Sequence, residues 1–350
     1  VICEKSDKLP MKRTFINTRC VLSLSLILFS FKALAINEWF EFYNNSRTLA
    51  MGGASVAITS DDSSLFRNPA NLGSLRDVYG TLLDPEIEGT GNLTASDIKI
   101  SDVMSTLGSK NDVYYRAKQQ LSPVIVRRNI GFGFIYKNEI SAEIKSATPT
   151  VMDTAYRSDI GAVLGTDVRL FDGRIKIGVA GRAFNRVEVM NSALSTSGPT
   201  DLSTIGSEGT AYAIDGGLLI QAPWTYIPTL GVVAHDMGDT TFKTSGLRVK
   251  TASTPATVKQ SVDAAIAIFP IHSNLFRSVW TLEYSDITNS RNDTDNSKRI
   301  HLGIEFNARD MFFFRVGYNQ RYLTAGIEVA SESIVWQLTS YGEDVGTSSA

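Results

Sequence analysis

Few side chains in this sequence are placed for making or breaking bonds. The three histidines, His235, His272 and His301, stand in unrelated contexts and share none of the spacings of a metal site. The sequence contains no phosphate-cradling P-loop, no G-x-S-x-G elbow and no H-E-x-x-H run. Asp61 and Asp62 are adjacent, so their side chains diverge; one suits a helix cap and the other an ion pair with Arg67. No enzymatic activity, cofactor or metal is therefore expected. What recurs is charge of both signs at alternating positions. Arg182 and Arg186 stand in one such run, Glu283 in another, Arg299, His301 and Glu305 in a third and Arg315 in a fourth. The chemistry this pattern offers is ion pairing between neighbouring strands around a shared interior. Mixed sign argues against a pore selective for one ion type.

Strands must carry these residues, because the charges alternate with apolar side chains at period two. In residues 175–189, Ile175, Ile177, Val179, Ala183, Val187 and Val189 share one face, opposite Lys176, Arg182, Arg186 and Glu188. Residues 298–308, 311–319 and 322–330 repeat the pattern, and about thirteen such stretches can be counted from Asp77 onward. Long connections (87–113, 141–153, 190–210, 237–257 and 287–297) alternate with short ones at 127–129, 172–173, 222–224, around Pro270 and at 309–310. Ile100, Val103, Met104 and Leu107 give the first long connection a helical stripe. Alternation in strands of roughly ten residues, with long loops at one end and short turns at the other, predicts an all-β transmembrane antiparallel β-barrel. Such barrels have an even strand number, so about fourteen strands are expected. The odd count has three readings: a fragment lacking its closing strand, a barrel strand at 52–59, or a miscounted loop. The first is preferred.

Hydrophobic content of 43% and a formal net charge of −2 over 350 residues fit a barrel, whose apolar band is hidden in every second residue. The start reads as an export signal: Met11-Lys12-Arg13, an apolar stretch at 21–31 and Ala33-Leu34-Ala35. Residues 1–10 read as translated upstream sequence and residues 11–35 as the signal peptide. Both cysteines, Cys3 and Cys20, precede the cut, which excludes disulfides and thiol chemistry from the exported part. Without residues 1–35 the balance is 28 Lys and Arg against 34 Asp and Glu, which suggests no nucleic-acid partner.

The stretch 60–86, SDDSSLFRNPANLGSLRDVYGTLLDPE, precedes the first alternating run. A short helix is expected after Asp61 and Asp62, closed where Pro69 forces Asn68 out of helical geometry. The run DDSSLFRNPANL resembles the N-terminal hatch of the FadL-like outer-membrane transporters, a family that includes PorV-like relatives. The resemblance implies a hatch over residues 36–75, with Asp62, Arg67, Asn68, Pro69 and Ala70 at its gate, a barrel over 76–341 and a tail over 342–350. It also implies a monomer in the bacterial outer membrane that takes up hydrophobic small molecules such as long-chain fatty acids. The surrounding lipid and the barrel assembly machinery would be its partners. The alternative implied by the PorV-like relatives is a barrel that binds secreted or surface proteins. Arg67 is expected to tie the hatch to a lumen carboxylate, Glu283 or Glu305.

Overall fold

The computed structural model describes residues 40–58, 61–90, 114–147, 150–195, 201–251, 253–331 and 334–344. The expected signal peptide and the helical stripe at 100–107 lie outside the described residues. One antiparallel sheet of sixteen strands contains nearly all the regular structure. Its strands are β1 (Tyr79–Thr81), β2 (Pro85–Gly89), β3 (Tyr114–Leu121), β4 (Val124–Arg127), β5 (Ile130–Ala147), β6 (Thr150–Leu170), β7 (Ile175–Ser195) and β8 (Ser207–Gln221). They continue with β9 (Thr229–His235), β10 (Ser261–Ile268), β11 (Ile271–Ser273), β12 (Phe276–Tyr284), β13 (Ile300–Ala308), β14 (Phe312–Asn319), β15 (Tyr322–Ala330) and β16 (Val335–Ser340). The fold is a transmembrane β-barrel, and no described helix is long and apolar enough to cross a membrane.

Three pairs of strands are single staves broken in the middle. β1 and β2 are separated at Leu82–Asp84, β3 and β4 at Ser122-Pro123, and β10 and β11 at Phe269-Pro270. Proline has no N–H for the ladder, which accounts for the last two breaks. The described residues therefore form thirteen staves, each paired with its neighbour along the chain. The first stave runs to Gly89, into the expected long connection at 87–113, because Pro85 can sit on an edge strand without losing a ladder bond.

Pleating places the apolar residues outside. Ile177, Val179, Ile214, Ile266, Leu302, Phe314, Val316 and Ile327 are exposed, while Arg182, Arg186, Glu283, His301, Glu305 and Arg315 are buried inside. Exposed aromatic residues cluster at the short turns (Phe171, Trp224, Tyr226, Phe276 and Phe312), where an interfacial girdle belongs.

Two of the expected long loops are strand in part. β5 and β6 leave only residues 148–149 between them, β7 continues to Ser195 and β8 begins at Ser207, so 141–147, 150–153, 190–195 and 207–210 belong to the wall. β6 and β7 have 21 residues each, about twice the roughly 9–11 that cross the bilayer. Beyond the hydrocarbon neither face must be apolar, so alternation fades although the ladder continues. Asp153, Thr154, Arg157, Ser158 and Glu188 there show no period-two pattern, yet Arg157 and Glu188 are direct cross-strand partners.

The outward register of β13 gives a direct check. Leu302→Arg or Ile304→Arg should each cost about 2–4 kcal/mol, the cost of a cation at the lipid-facing midplane. Ile304→Val should cost about 0.5–1.5 kcal/mol. Unfolding titrations in bilayers would measure both, and equal costs would contradict the register.

Candidate functional site

The segment 40–75 runs across the inside of the barrel. Its first helix, α1 (Ser46–Ala50), is capped by Asn45, whose Oδ1 accepts from Thr48 N at 2.8 Å. The chain leaves α1 through Gly52 at φ +68°, a conformation that favours glycine. Gly52 lies directly against the backbone of Leu302 and Tyr318, where there is no space for a Cβ. A second helix, α2 (Ser64–Arg67), ends at Asn68, which is extended (φ −152°, ψ 105°) because Pro69 follows. Pro69 opens a 3-10 helix, Pro69–Ser74, in the first-turn position that needs no N–H.

The Asn68-Pro69-Ala70 turn is fully inside. Asn68 Oδ1 accepts from Ala70 N at 3.1 Å, and Asn68 Nδ2 donates to Val56 O at 2.9 Å. Asn71 Nδ2 donates to the same carbonyl at 3.0 Å. Pro69 and Ala70 press on β7 at Gly178, where any side chain would collide with the Pro69 carbonyl. On the opposite side, Met51 lies against Gly303 of β13 and Gly317 of β14, and Val56 lies against Gly231 of β9. Inward glycines on several staves thus mark where the segment touches the wall. That signal was present in the alternating runs and could have located the contact.

Charged side chains join the segment to the wall at β13. Arg47 donates to Glu305 through Nε (2.9 Å) and Nη2 (3.0 Å), and its Nη1 lies 2.5 Å from Asp61. Glu305 also accepts from Arg315 Nε at 2.6 Å, and Arg315 Nη2 reaches Glu328 at 2.7 Å. Next to this chain, Glu283 accepts from the backbone N–H groups of Ser55 (2.7 Å) and Val56 (2.9 Å). His301 Nδ1 donates to Gly52 O at 2.8 Å.

Arg67 serves mainly within the segment. It pairs with Glu41 and donates to Ser55 Oγ at 2.8 Å, and it also forms the expected ion pair with the lumen carboxylate Glu283, at 3.8 Å. Glu305 is taken by Arg47, an arginine that precedes the recognisable stretch and was missed for that reason. Burial disfavours the Glu41 charge, but the Arg67 guanidinium more than offsets it and holds that carboxyl down at about 2.

The roles expected of the two aspartates differ in the structure. Asp61 accepts from Ser63 N at 3.0 Å in a local turn and pairs with Arg47, and α2 has no side-chain cap. Asp62 accepts from Thr81 of β1 and does not meet Arg67. Asp62 and Arg67 do not meet because Arg67 points into the lumen towards Glu41, away from the start of α2.

The expected lumen charges fall into two groups. Glu283, His301, Glu305 and Arg315 form the set on β12 to β14 just described. Arg182 and Arg186 belong to β7, where Arg186 holds Asp159 through two bonds (2.7 and 2.8 Å) and Arg182 reaches Asp215 (2.8 Å) and Asp236 (2.9 Å). Asp159 and Asp215 occupy inward positions on β6 and β8, so strand parity could have identified them. Arg299 belongs to neither group. It sits in the 3-10 turn Asn296–Arg299 ahead of β13, and its guanidinium turns to Asn289 and to the Asp293 carbonyl at 2.7 Å. Asp159↔Arg186, Arg157↔Glu188 and Glu305↔Arg315 are direct cross-strand partners, so the ladder register itself sets these pairs.

No protein-family model matches the chain, and no curated protein does. Among solved structures, the toluene transporter TodX of Pseudomonas putida aligns over 87% of this chain and 96% of its own, with 9% identity and a TM-score of 0.37.

Two outcomes follow from the segment's contacts. Arg47→Ala should raise the conductance of the barrel in planar bilayers, because it frees Asp61 and one side of Glu305; an unchanged conductance would show that the pair does not hold the segment. The second concerns Asp62, whose carboxyl is raised from 3.8 to about 6 by burial and by neighbouring Asp61. The folded state holds this proton more tightly than the unfolded chain, so stability falls as pH rises from 3.8 to about 6. Asp62→Asn should therefore raise the heat-modification midpoint above pH 6 and leave it unchanged near pH 3.5.

Proposed function

We propose that this protein is a monomeric outer-membrane barrel for the passive uptake of hydrophobic small molecules, with long-chain fatty acids as the first cargo to test. The observation that carries this reading is an apolar strip through the lumen. Tyr43, Leu65, Phe66, Leu72 and Leu75 of the segment pack on Val124 and Val126 of β4, Ile135 of β5, Val163 of β6 and Ala180 of β7. Phe42 touches this cluster and also a second one, of Phe184, Ala211 and Ala213 with Phe242 from the connection between β9 and β10. The aromatic rings are in direct succession: Phe42 to Phe184 at 5.1 Å and Phe184 to Phe242 at 5.6 Å between centroids.

A channel for hydrated solutes has a polar lining. A strip of aromatic and aliphatic side chains instead suits a cargo that gains by leaving water, at roughly 25 cal/mol per Å² of apolar surface buried. In this reading the segment 40–75 is a hatch. Its polar ties to β12 to β15 keep one side in place, while the side facing β4 to β7 combines apolar contacts that a hydrophobic molecule can replace with two bonds at its ends, Lys137 to Glu41 O and Arg128 to Leu75 O. Uptake then needs only a concentration gradient and a small displacement of the Asn68-Pro69-Ala70 turn.

The test is uptake of a labelled long-chain fatty acid by cells that lack their own transporter and express the protein at the surface. Wild type should support uptake, and Phe242→Ser, at the outer end of the strip, should slow it several-fold with surface assembly unchanged. Assembled wild type without uptake would overturn the fatty-acid reading and favour a barrel that binds secreted or surface proteins.

A further inference from the structure

The outermost staves of the sheet, β1–β2 and β16, have no ladder between them among the described residues. Inside a membrane this seam is the weakest line in the wall, because hydrocarbon offers no partner for free N–H and C=O groups. One short element crosses it from within. Ser46, the first residue of α1, donates its N–H to Glu86 Oε1 of β2 at 3.0 Å and accepts at its carbonyl from Thr339 Oγ1 of β16 at 3.0 Å. A single peptide residue thus holds both sides. The flanking residues repeat the arrangement: Asn44 O accepts from Gln120 of β3 at 2.7 Å, and Ala50 O accepts from Thr324 of β15 at 2.9 Å. At the outer end, Tyr341 Oη donates to Glu88 at 2.5 Å and Arg116 donates to Glu343 at 2.7 Å.

We infer that residues 44–50 are a clasp that fastens β16 to the stave β1–β2. The segment then has two parts with different duties. The part around Asn68 lies against β7 and β8, while α1 is built into the closure of the wall. Removing the whole segment would therefore loosen the barrel as well as empty it. The inference does not depend on what is transported.

The geometry permits a clean test at Ser46. Proline is well tolerated at the first helical position, and the residue before it must be extended. Asn45 already is, at φ −125° and ψ 163°. Ser46→Pro therefore removes the N–H that reaches Glu86 with little cost to α1, and Thr339→Val removes the hydroxyl on the other side. Spin labels at Ile87→Cys and Leu338→Cys, in a Cys3→Ser/Cys20→Ser background, report the width of the seam. Labels at Leu282→Cys and Leu338→Cys report five staves joined by four continuous ladders. In Ser46→Pro/Thr339→Val the seam distance should lengthen and broaden while the control distance stays as in wild type. Thr339→Val alone should give a smaller change of the same kind, and it is the variant to measure if the double variant does not assemble. An unchanged seam distance, or equal changes at both label pairs, would overturn the clasp.

Discussion

Every main-chain N–H and C=O that enters hydrocarbon must find its partner within the protein. That constraint shapes this molecule from its ladder outward. Continuous antiparallel pairing from the first stave to the last satisfies it along the wall, and the pleat then leaves one choice for each side chain. Ile177, Val179, Leu302 and Phe314 go to the lipid, and Arg182, Arg186, Glu283 and Glu305 go inside. Burying that many charges is costly unless each finds a partner, and the ladder register brings many of those partners face to face. Asp159 and Arg186 are opposed in this way, as are Glu305 and Arg315.

Within this wall the N-terminal segment uses two kinds of contact on its two sides. Towards β12 to β16 it is held by directional bonds: Arg47 to Glu305, the Ser55 and Val56 amides to Glu283, His301 to Gly52, and Thr339 to Ser46. Towards β4 to β7 it presents Phe66, Leu65 and Leu72 to Val124, Ile135 and Val163, beside two bonds, from Lys137 Nζ to Glu41 O and from Arg128 Nε to Leu75 O. Directional bonds have a narrow optimum and resist sliding, whereas apolar contacts can be exchanged for other apolar contacts at little cost. Apolar packing therefore makes up a larger share of the contact towards β4 to β7 than towards β12 to β16. The Asn68-Pro69-Ala70 turn lies against Gly178 of β7.

Much of the wall was legible in the sequence because alternation is a local signal. Residues 175–189 could be read stave by stave, with Ile177 and Val179 outside and Arg182 and Arg186 inside, and thirteen alternating stretches correspond to thirteen staves. Strand length was legible only inside the bilayer. β5 to β8 continue well past it, where water on both faces removes the reason for alternation.

The fold class, the side faced by strand residues within the bilayer, and the local turn at Asn68-Pro69-Ala70 can be read from the sequence, since each follows from neighbours within a few positions. Which charges meet depends on the folded chain. Arg47 and Glu305 are 258 residues apart. Nothing local distinguishes Arg47 from Arg67 as the partner of Glu305, and the choice depends on where α1 enters the lumen. The grouping of the inward charges into a β7 set and a β13 set, the departure of Arg299 to the rim and the meeting of β2 and β16 at Ser46 are of the same kind. Each depends on the closure of the sheet into a cylinder, which brings together residues that the chain itself keeps far apart.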